Sequence, residues 1–490
     1  MQKAAFVTTT IAALSKKMRD ITSTVLEALD SLKVEDSSFT LASPSELREA
    51  NSVKELKEKV LCSPVAVGSV FSKRLRRLAP QFLLLDNAVS LFEGRLYPDS
   101  FARSRTNSLK LKRFLANEGA VDNLLKRSEG DFAAVIVKPG IICAGRDPLG
   151  VQPFYYGENA ELAAFASNMK ALWKLGIQES HSFPPGNLAL VTPNGFEFKP
   201  IKSITFPRAP LQITLDEAAE KLLKLLERSV RVRVQGVKEL AVAFSGGLDS
   251  SVIAFIAKKY VASVNLVHVS LHGKSETEDA RRAAEELDLP LNVHLFEPKA
   301  VEETASKVVA LVEEPDPVKV AIGIPFYWVA QKVAEGGLSI LLAGQCADEL
   351  FGGYQRYVDE YLSRGEDAVR RTMLSDVIEL CESNLERDGK ICGFHGVELR
   401  LPFASFGLAQ FASSLPVSLK IEPKQGGLRK LVLRRLASRV GLADSIVSKP
   451  KKAVQYATGV NVVLSKIAKN HGLTVGEYLE RVFAKEKADG

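Results

Sequence analysis

The 490-residue sequence is poor in cysteine, and its cysteines follow no metal-binding or disulfide pattern. Their number is odd and none has CxxC spacing; they are Cys62, Cys143, Cys346, Cys381 and Cys392. This argues against a disulfide framework and against a zinc site. The six histidines add no HxH or HExxH spacing. A reducing, cytoplasmic environment is therefore expected.

Long apolar runs and dense basic segments are also missing. No uninterrupted hydrophobic stretch is long enough to cross a bilayer. The segment 4–14 is diluted by three threonines and lacks a clean small-residue cleavage site, which argues against export. The net charge of +7, from 65 basic and 58 acidic residues, is not gathered into an arm. We therefore expect neither a membrane partner nor a nucleic-acid partner.

The two halves of the chain show different patterns. The first half reads as β-rich, with a hairpin around Lys138-Pro139-Gly140, a second hairpin in 83–92 and a helix around 109–117. A proline-rich segment ends this half near residue 205. Thr214 and Glu217 then form a capping box that opens a helix through about Arg233. We predict domains at 1–205 and 206–490.

Strands and helices alternate in the second half. Apolar runs predict strands at 239–244, 263–270, 291–296 and 338–343, and amphipathic helices at 276–287 and 301–311. This alternation indicates a parallel sheet with helices on both faces. From Gly352 onward the chain reads as mostly helical. The fold class is therefore α/β.

A loop of small residues directly follows the first of these strands. It reads Ser245-Gly246-Gly247-Leu248-Asp249-Ser250-Ser251. Small residues let the backbone approach a phosphate, and the helix N-terminus directs unpaired N–H groups towards it. The loop lacks the lysine of a Walker A sequence, so it does not predict a kinase-like site that binds the γ-phosphate. It resembles the PP-loop of ATP pyrophosphatases; the alternative is an ordinary strand–turn–helix junction.

A second loop follows the strand at 338–343 in the same way. It runs from Gly344 to Tyr354 and contains Asp348 and Glu349. Because parallel strands end at the same sheet edge, Asp249 and Asp348 are expected to converge there. Two carboxylates beside polyphosphate oxygens would hold Mg²⁺. The alternative is that Asp348 and Glu349 only complement a helix dipole.

Four ordered segments together resemble the asparagine synthetase family. They are the two loops, the segment 384–403 with its His395-Gly396-Val397-Glu398 sequence, and the segment 451–459. The resemblance implies a PP-loop (adenine nucleotide α-hydrolase-like) domain with a helical C-terminal part, which adenylates a carboxylate with ATP and Mg²⁺. It places ATP or pyrophosphate at Phe244, Ser245, Gly246, Gly247, Asp249, Ser250, Ser251, Val269, Ala343 and Gly344. It places the metal at Asp249 and Asp348.

The resemblance also indicates catalytic positions. Lys451 or Lys452 is expected to stabilise the negative charge that develops on the acyl adenylate and during its attack; the alternative is a solvated basic turn. Gln345 replaces the family's glutamate and cannot act as a general base. Cys346 replaces the family's usual glycine and is expected to fill space. An acidic loop, Glu313, Glu314 and Asp316, either faces the substrate amine or is solvated.

In the first half, segments 145–156 and 165–172 resemble class II glutamine amidotransferases. The resemblance implies an αββα Ntn-hydrolase-like sandwich whose N-terminal cysteine uses its own α-amine as base. Here residue 2 is Gln2, and the first cysteine, Cys62, is internal. The family's Asn-Gly oxyanion pair reads Glu93-Gly94, and a carboxylate there repels an oxyanion. We expect the fold to be retained and the glutaminase to be lost.

These features predict an amide ligase of asparagine synthetase type. Its substrates would be ATP, a carboxylate, expected to be aspartate, and ammonia that is free or supplied by a separate glutaminase. Two alternatives stay open: an adenylating ligase or cyclase on another substrate, suggested by Gln345, and a non-catalytic scaffold homologue. The sequence also leaves open whether the chain forms a homodimer.

Overall fold

The computed structural model describes residues 8–57, 61–97, 120–450 and 452–489. Its contacts divide the chain into two compact units, Met1–Ser203 and Ile204–Gly490. Within the described ranges, no helix is both long and apolar enough to pass through a membrane. The helix predicted around 109–117 and the candidate residue Lys451 lie outside the described residues.

The N-terminal unit contains two antiparallel sheets. Its strands are β1 (Thr8–Ser15), β2 (Ser37–Ser43), β3 (Glu46–Ala50), β4 (Val65–Ser72), β5 (Gln81–Leu85), β6 (Ala88–Tyr97), β7 (Glu129–Lys138), β8 (Ile141–Arg146), β9 (Tyr155–Glu158), β10 (Leu162–Ala166), β11 (His181–Ser182), β12 (Asn187–Thr192) and β13 (Gly195–Pro200). The first sheet has the order β11-β9-β10-β1-β4-β2-β3, and the second β13-β12-β8-β7-β6-β5. Both predicted hairpins are confirmed, as β5–β6 and β7–β8.

Four layers result because strand side chains alternate between two buried faces. In β1, Ile11 and Ala13 belong to one core with helices of the outer layer, while Ala12 and Leu14 belong to the core between the sheets. On the far side, Leu124 packs with Phe132 of β7. The helices are α1 (Thr22–Ser31), α2 (Val53–Lys57), α3 (Ala120–Arg127) and α4 (Met169–Lys174), with a 3₁₀ segment at Lys73–Leu78. The predicted αββα sandwich is confirmed.

The C-terminal unit is built on a parallel sheet. Its strands are β14 (Glu239–Ala243), β15 (Ser263–Leu271), β16 (Leu291–Phe296), β17 (Ile340–Leu342) and β18 (Glu398–Arg400), in the order β16-β15-β14-β17-β18. All four neighbouring pairs are parallel. Leu240, Ala241 and Val242 are fully buried, as expected for a strand covered on both faces. The four predicted strands and the parallel sheet are confirmed; β18 was not predicted.

Helices surround this sheet and make up the C-terminal part. They are α5 (Leu215–Arg233), α6 (Leu248–Ala257), α7 (Glu276–Leu287), α8 (Pro298–Val312), α9 (Pro317–Glu335), α10 (Ala347–Phe351), α11 (Gln355–Arg364), α12 (Glu366–Ile378), α13 (Glu386–Phe394), α14 (Phe406–Ser414), α15 (Leu431–Arg439), α16 (Asp444–Val447), α17 (Val454–Ala457), α18 (Val460–Asn470) and α19 (Val475–Asp489). A π-helical turn covers Cys381–Leu385, and a 3₁₀ turn covers Val417–Leu419. The predicted capping box is confirmed: the Glu217 backbone N–H donates to the Thr214 hydroxyl, and the Glu217 carboxylate accepts from the Thr214 backbone.

Candidate active site

The loop after β14 is shaped by small residues that touch a neighbouring helix. Gly246 has φ of +63°, and a Cβ there would lie 2.7 Å from the Cα of Ala280 in α7. The Gly247 backbone N–H donates to the Ser245 hydroxyl at 3.3 Å, and the Ser250 hydroxyl donates to the Gly247 carbonyl at 3.2 Å. The loop is therefore held in one shape at the start of α6.

The second loop meets the first through glycines. A Cβ at Gly344 would lie 2.9 Å from the Cβ of Asp249, and a Cβ at Gly353 would lie 1.8 Å from Oδ1 of Asp348. Neither position accepts a side chain without displacing an aspartate. The absence of a side chain at Gly344 thus lets the loops after β14 and β17 come together at one sheet edge, while Gly353 leaves room for Asp348 within the second loop.

Asp249 and Asp348 lie on either side of one buried ammonium group. Lys430 Nζ donates to Oδ1 and Oδ2 of Asp249 at 2.7 and 2.6 Å, and it lies 2.7 Å from Oδ1 of Asp348. The structure therefore brings together the two carboxylates proposed for the metal. Sequence reasoning missed Lys430, since nothing in Leu428-Arg429-Lys430 distinguishes it from a surface basic run.

The carboxylate pair fits a magnesium ion that arrives with a nucleotide. Within the described ranges, no cluster of three or more His, Cys, Asp or Glu residues has metal-binding geometry. Mg²⁺ is commonly held by one or two carboxylates together with substrate phosphates and water. Asp249 and Asp348 match that donor set, and they do not match a resident metal held by the protein alone.

A cavity of about 760 Å³ opens above this edge of the sheet. The predicted site residues that line it are Phe244, Ser245, Asp249, Ser250, Val269, Ala343, Gly344, Gln345, Asp348 and Lys452. Gly246, Gly247 and Ser251 are not among the residues that line it. The Ser251 side chain is fully buried, and the Gly246 carbonyl accepts from Lys449 Nζ at 3.3 Å.

His268 joins the neighbouring strand to the phosphate loop. Its Nδ1 lies 3.0 Å from the Phe244 carbonyl and its Nε2 lies 3.3 Å from the Thr277 hydroxyl. Burial lowers the pKa of His268. A neutral imidazole that links β15 to the end of β14 is a structural element of the cavity wall.

Gln345 lines the cavity, but its amide nitrogen is directed to a buried acid. Its Nε2 donates to Asp388, which forms a buried ion pair with Arg387 at 2.7 Å. Burial raises the pKa of Asp388. A glutamate at position 345 would set a second carboxylate against Asp388, whereas glutamine supplies a donor. The neighbouring acid therefore gives a physical reason for glutamine here.

A second buried acid lies beside Asp348. Oε1 of Glu349 accepts from the Tyr354 hydroxyl at 2.5 Å and from Asn384 Nδ2 at 3.0 Å. Burial, followed by the charge of Asp348, raises the pKa of Glu349. This network ties the loop after β17 to the π-helical turn, and it was not predicted.

The acidic loop at 313–316 does not act as a unit. Glu313 forms a buried ion pair with Lys390 at 3.1 Å. Glu314 is in contact with Lys319, and the Asp316 side chain caps α9 by accepting from the Lys319 backbone at 2.7 Å. Of the three acids, Asp316 alone lines the cavity. Glu313 therefore has a structural role, as the partner of the buried Lys390.

The candidate catalytic lysines are only partly described. Lys451 lies outside the described residues. Lys452 forms an ion pair with Glu276 at the start of α7, and both side chains line the cavity. Farther along the same segment, the Thr458 carbonyl accepts from the backbone N–H of Leu271, the final residue of β15, at 3.2 Å.

In the N-terminal unit, the Glu93-Gly94 pair lies within β6. Glu93 is buried and accepts from the Thr10 hydroxyl at 2.9 Å. Burial raises the pKa of Glu93 to about 7. Gly94 has φ of +104°, and a Cβ there would lie 2.1 Å from the Asp131 carbonyl. The position thus presents a carboxyl group where an amide donor was expected for glutamine hydrolysis.

Together, these features define a nucleotide-binding α/β unit of PP-loop type that follows an αββα sandwich. The family model for asparagine synthase matches residues 221–364 and 358–472, and the glutamine amidotransferase domain model matches residues 103–174. The chain belongs to the asparagine synthetase family, as predicted. It is thereby an ATP-dependent amide ligase by family.

Individual relatives agree with this assignment. A Methanocaldococcus jannaschii protein, provisionally named asparagine synthetase [glutamine-hydrolyzing] 1, is 32% identical over 74% of this chain and 75% of its own length. An asparagine synthetase domain-containing protein of Saccharomyces cerevisiae is 23% identical over 78% of this chain and 80% of its own. A solved Bacillus subtilis glutamine phosphoribosylpyrophosphate amidotransferase covers 59% of this chain and 80% of its own, with 12% identity and a TM-score of 0.32, too low to support an argument.

Proposed function

We propose that the chain adenylates a substrate carboxylate with ATP, releases pyrophosphate, and transfers the acyl group to ammonia with release of AMP. The observation that carries this proposal is the convergence of Asp249, Asp348 and Lys430 beneath a cavity walled by the loop after β14. Adenylation needs a site that binds polyphosphate and neutralises it as it leaves. The loop supplies the phosphate-binding groups, and Asp249 and Asp348 supply carboxylates that would hold Mg²⁺ beside the leaving pyrophosphate.

Each part of the cluster has a separate role. Backbone N–H groups at the start of α6 bind phosphate oxygens. Lys430 provides a positive charge at the place where Asp249 and Asp348 meet. Mg²⁺ bound with ATP would supply additional positive charge to the leaving pyrophosphate, held by the same two aspartates. Lys451 or Lys452 is proposed to stabilise the acyl adenylate during amine attack.

Aspartate is the proposed carboxylate, and its nitrogen is proposed to come from ammonia. The relatives' names include glutamine hydrolysis, but this chain has a buried Glu93 at the position that the family resemblance assigns to an oxyanion-binding amide. Ammonia would arrive from solution or from a separate glutaminase. The released products would be asparagine, AMP and pyrophosphate.

A second candidate function is adenylation of another carboxylate, including ring closure within one substrate. It is favoured by Gln345, whose amide is engaged by Asp388 and which offers no base to an incoming amine. The two candidates share the adenylation step and differ in the acyl acceptor and donor. A panel of carboxylates distinguishes them.

Pyrophosphate release tests the shared step. The full chain is incubated with ATP, Mg²⁺, ammonium and either aspartate or a panel of other carboxylates, and pyrophosphate, AMP and amide product are measured. Asp348→Asn should lower pyrophosphate release by about 100-fold or more, because the leaving group loses its metal-binding carboxylate. Asp367→Asn, an exposed acid on α12, is the control and should leave the rate unchanged.

The outcomes separate the hypotheses. Release with aspartate and formation of asparagine support the first function. Release with a different carboxylate alone supports the second. If the unmodified chain released no pyrophosphate with any carboxylate, the scaffold alternative would replace both.

A further inference from the structure

The cavity has two ends that follow the order of the strands. At the β15 end lie Val269 and the Lys452–Glu276 ion pair. At the β17 end, Glu349 bonds to Tyr354 and Asn384, and Arg356 lies over the Tyr354 ring at 5.1 Å. The phosphate loop after β14 lies between the two ends. Because the phosphate loop lies between the two ends, a nucleoside at the β15 end places the carboxylate substrate at the β17 end.

Arg356 is a fixed cation at the β17 end. Its Nη2 donates to Oδ2 of Asp376 at 2.8 Å, and its guanidinium lies 5.1 and 5.4 Å from the ring centres of Tyr354 and Tyr357. Its side chain is 59% exposed and lines the cavity. A guanidinium carries five N–H donors; Asp376 accepts from one of them, and the Tyr357 side chain is a further hydrogen-bond partner. The rings and the carboxylate thus orient a cation that keeps donors for a ligand.

The other cations that line the described part of the cavity are less suited to a substrate anion at this end. Lys452 pairs with Glu276 at the β15 end. Lys319 pairs with Glu314, and its side chain is 20% exposed. Arginine also matches a carboxylate by two parallel hydrogen bonds, which a lysine ammonium does not.

A matching negative charge lies on the same side. Glu379 lines the cavity and accepts from the Ser375 hydroxyl at 2.7 Å. A cation and an anion at one end of a cavity complement a zwitterionic amino-acid head group, whose carboxylate and ammonium carry opposite charges. A monocarboxylic acid lacks the second anionic group that could accept from the remaining guanidinium donors.

We propose that Arg356 binds the α-carboxylate of an amino-dicarboxylic acid whose other carboxylate is adenylated. This inference rests on the proposed adenylation and makes Arg356 a residue that determines specificity. The guanidinium would favour substrates with a second anionic group, because that group can accept from the donors that Asp376 does not use.

The test compares two substrates that differ only in the α-carboxylate. Pyrophosphate release by the full chain is measured with aspartate and with β-alanine, for the unmodified chain, Arg356→Ala and Arg356→Lys. Arg356→Ala should lower kcat/KM for aspartate by about 10- to 100-fold and leave the value for β-alanine unchanged. Arg356→Lys should restore part of the loss. Arg364→Ala, on the same helix and paired with Glu360 at 3.8 Å, is the control and should change neither value.

The ratio of the two substrates separates recognition from structural damage. Both values come from one preparation, so a partly misfolded variant lowers them together. An equal loss for aspartate and β-alanine, an increase in the KM for ATP alone, or a preference of the unmodified chain for β-alanine would each overturn the assignment of Arg356. Failure of the unmodified chain to release pyrophosphate with any carboxylate would instead overturn the proposed function.

Discussion

Lys430 holds one positive charge against two negative charges. Its side chain is almost fully buried, and it contacts Asp249 and Asp348 together. The cluster of three therefore carries a net negative charge, which repels a free triphosphate and attracts a further cation. The same residues that prepare the site for Mg²⁺ thus disfavour ATP without it. ATP binding and metal binding should accordingly be coupled.

Cys346 shows how a single backbone angle constrains residue choice. It precedes α10 with φ of +75°, a left-handed conformation. Such a conformation costs a residue with a Cβ about 1–2 kcal/mol relative to glycine. This accounts for the glycine expected at the position from the family resemblance. The buried thiol fills space at that cost.

Glu93 makes the stability of the N-terminal unit dependent on pH. Its folded pKa of about 7 lies above the ordinary glutamate value of 4.5 because burial disfavours the charged form. The stabilising effect of its bound proton is therefore complete below pH 4.5 and is lost as the pH rises to about 7. Glu93→Gln removes this dependence. The variant should be more stable than the unmodified chain by roughly 1 to 3 kcal/mol above pH 7, and by little below pH 4.5.

Tryptophan fluorescence can follow this unit by itself. The chain has two tryptophans, Trp173 in the N-terminal unit and Trp328 in the C-terminal unit. Urea unfolding is followed through Trp173 in a Trp328→Phe background at a series of pH values. Glu197→Gln, at an exposed position of β13, is the matched control. A stability difference that stays constant from pH 4 to 8 would contradict the assigned role of Glu93.

At the scale of elements, length and periodicity decided what could be predicted. The amphipathic helix 276–287 and the strand 291–296 were predicted with the bounds that the structure shows. The three-residue strand β18 lacks enough length for a period, and only its pairing with β17 makes it a strand. In the site, two aspartates were identifiable from loops that follow strands. Lys430 and Arg356 were not, since their positions depend on how distant helices pack.

The junction between the phosphate loop and α7 can be tested with two glycines. Gly246 and Gly273 have similar left-handed φ angles of +63° and +75°. A Cβ at Gly246 would lie 2.7 Å from Ala280 Cα, while a Cβ at Gly273 meets nothing within 4 Å. Gly273→Ala should cost about 1 kcal/mol for the backbone alone. Gly246→Ala should cost about 1–3 kcal/mol more, because the helix must move.

Chemical unfolding and nucleotide titration measure the two consequences. Gly246→Ala should also weaken ATP binding, since displacing α7 changes the shape of the loop, whereas Gly273→Ala should bind ATP as the unmodified chain does. Equal stability losses in the two variants would mean that the loop and α7 separate without cost. The close packing described here would then have no energetic importance.

At the scale of the whole molecule, the residues that stabilise the N-terminal unit differ from those that glutamine hydrolysis is expected to need. Its core consists of alternating apolar residues such as Ile11, Ala12 and Val135, which lie in the sheets and not at a nucleophile. Glu93, at the position where the family resemblance predicts an amide donor, is not among the residues of that core. A sandwich of four layers is therefore compatible with a changed residue at this position.

The proposed function predicts that ammonia supplies the nitrogen of the amide product. With ¹⁵N-ammonium and unlabelled glutamine both present, the amide product should carry the label, because the carboxyl group of Glu93 stands where glutamine hydrolysis is expected to need an amide donor. The rate with ammonium should rise with pH, since unprotonated ammonia is the nucleophile.

An electrophilic glutamine analogue could still label the exposed Cys62 by simple thiol chemistry. Cys62→Ser should then abolish labelling without changing the ammonia-dependent rate. Product nitrogen derived from the glutamine amide would overturn the proposed ammonia dependence.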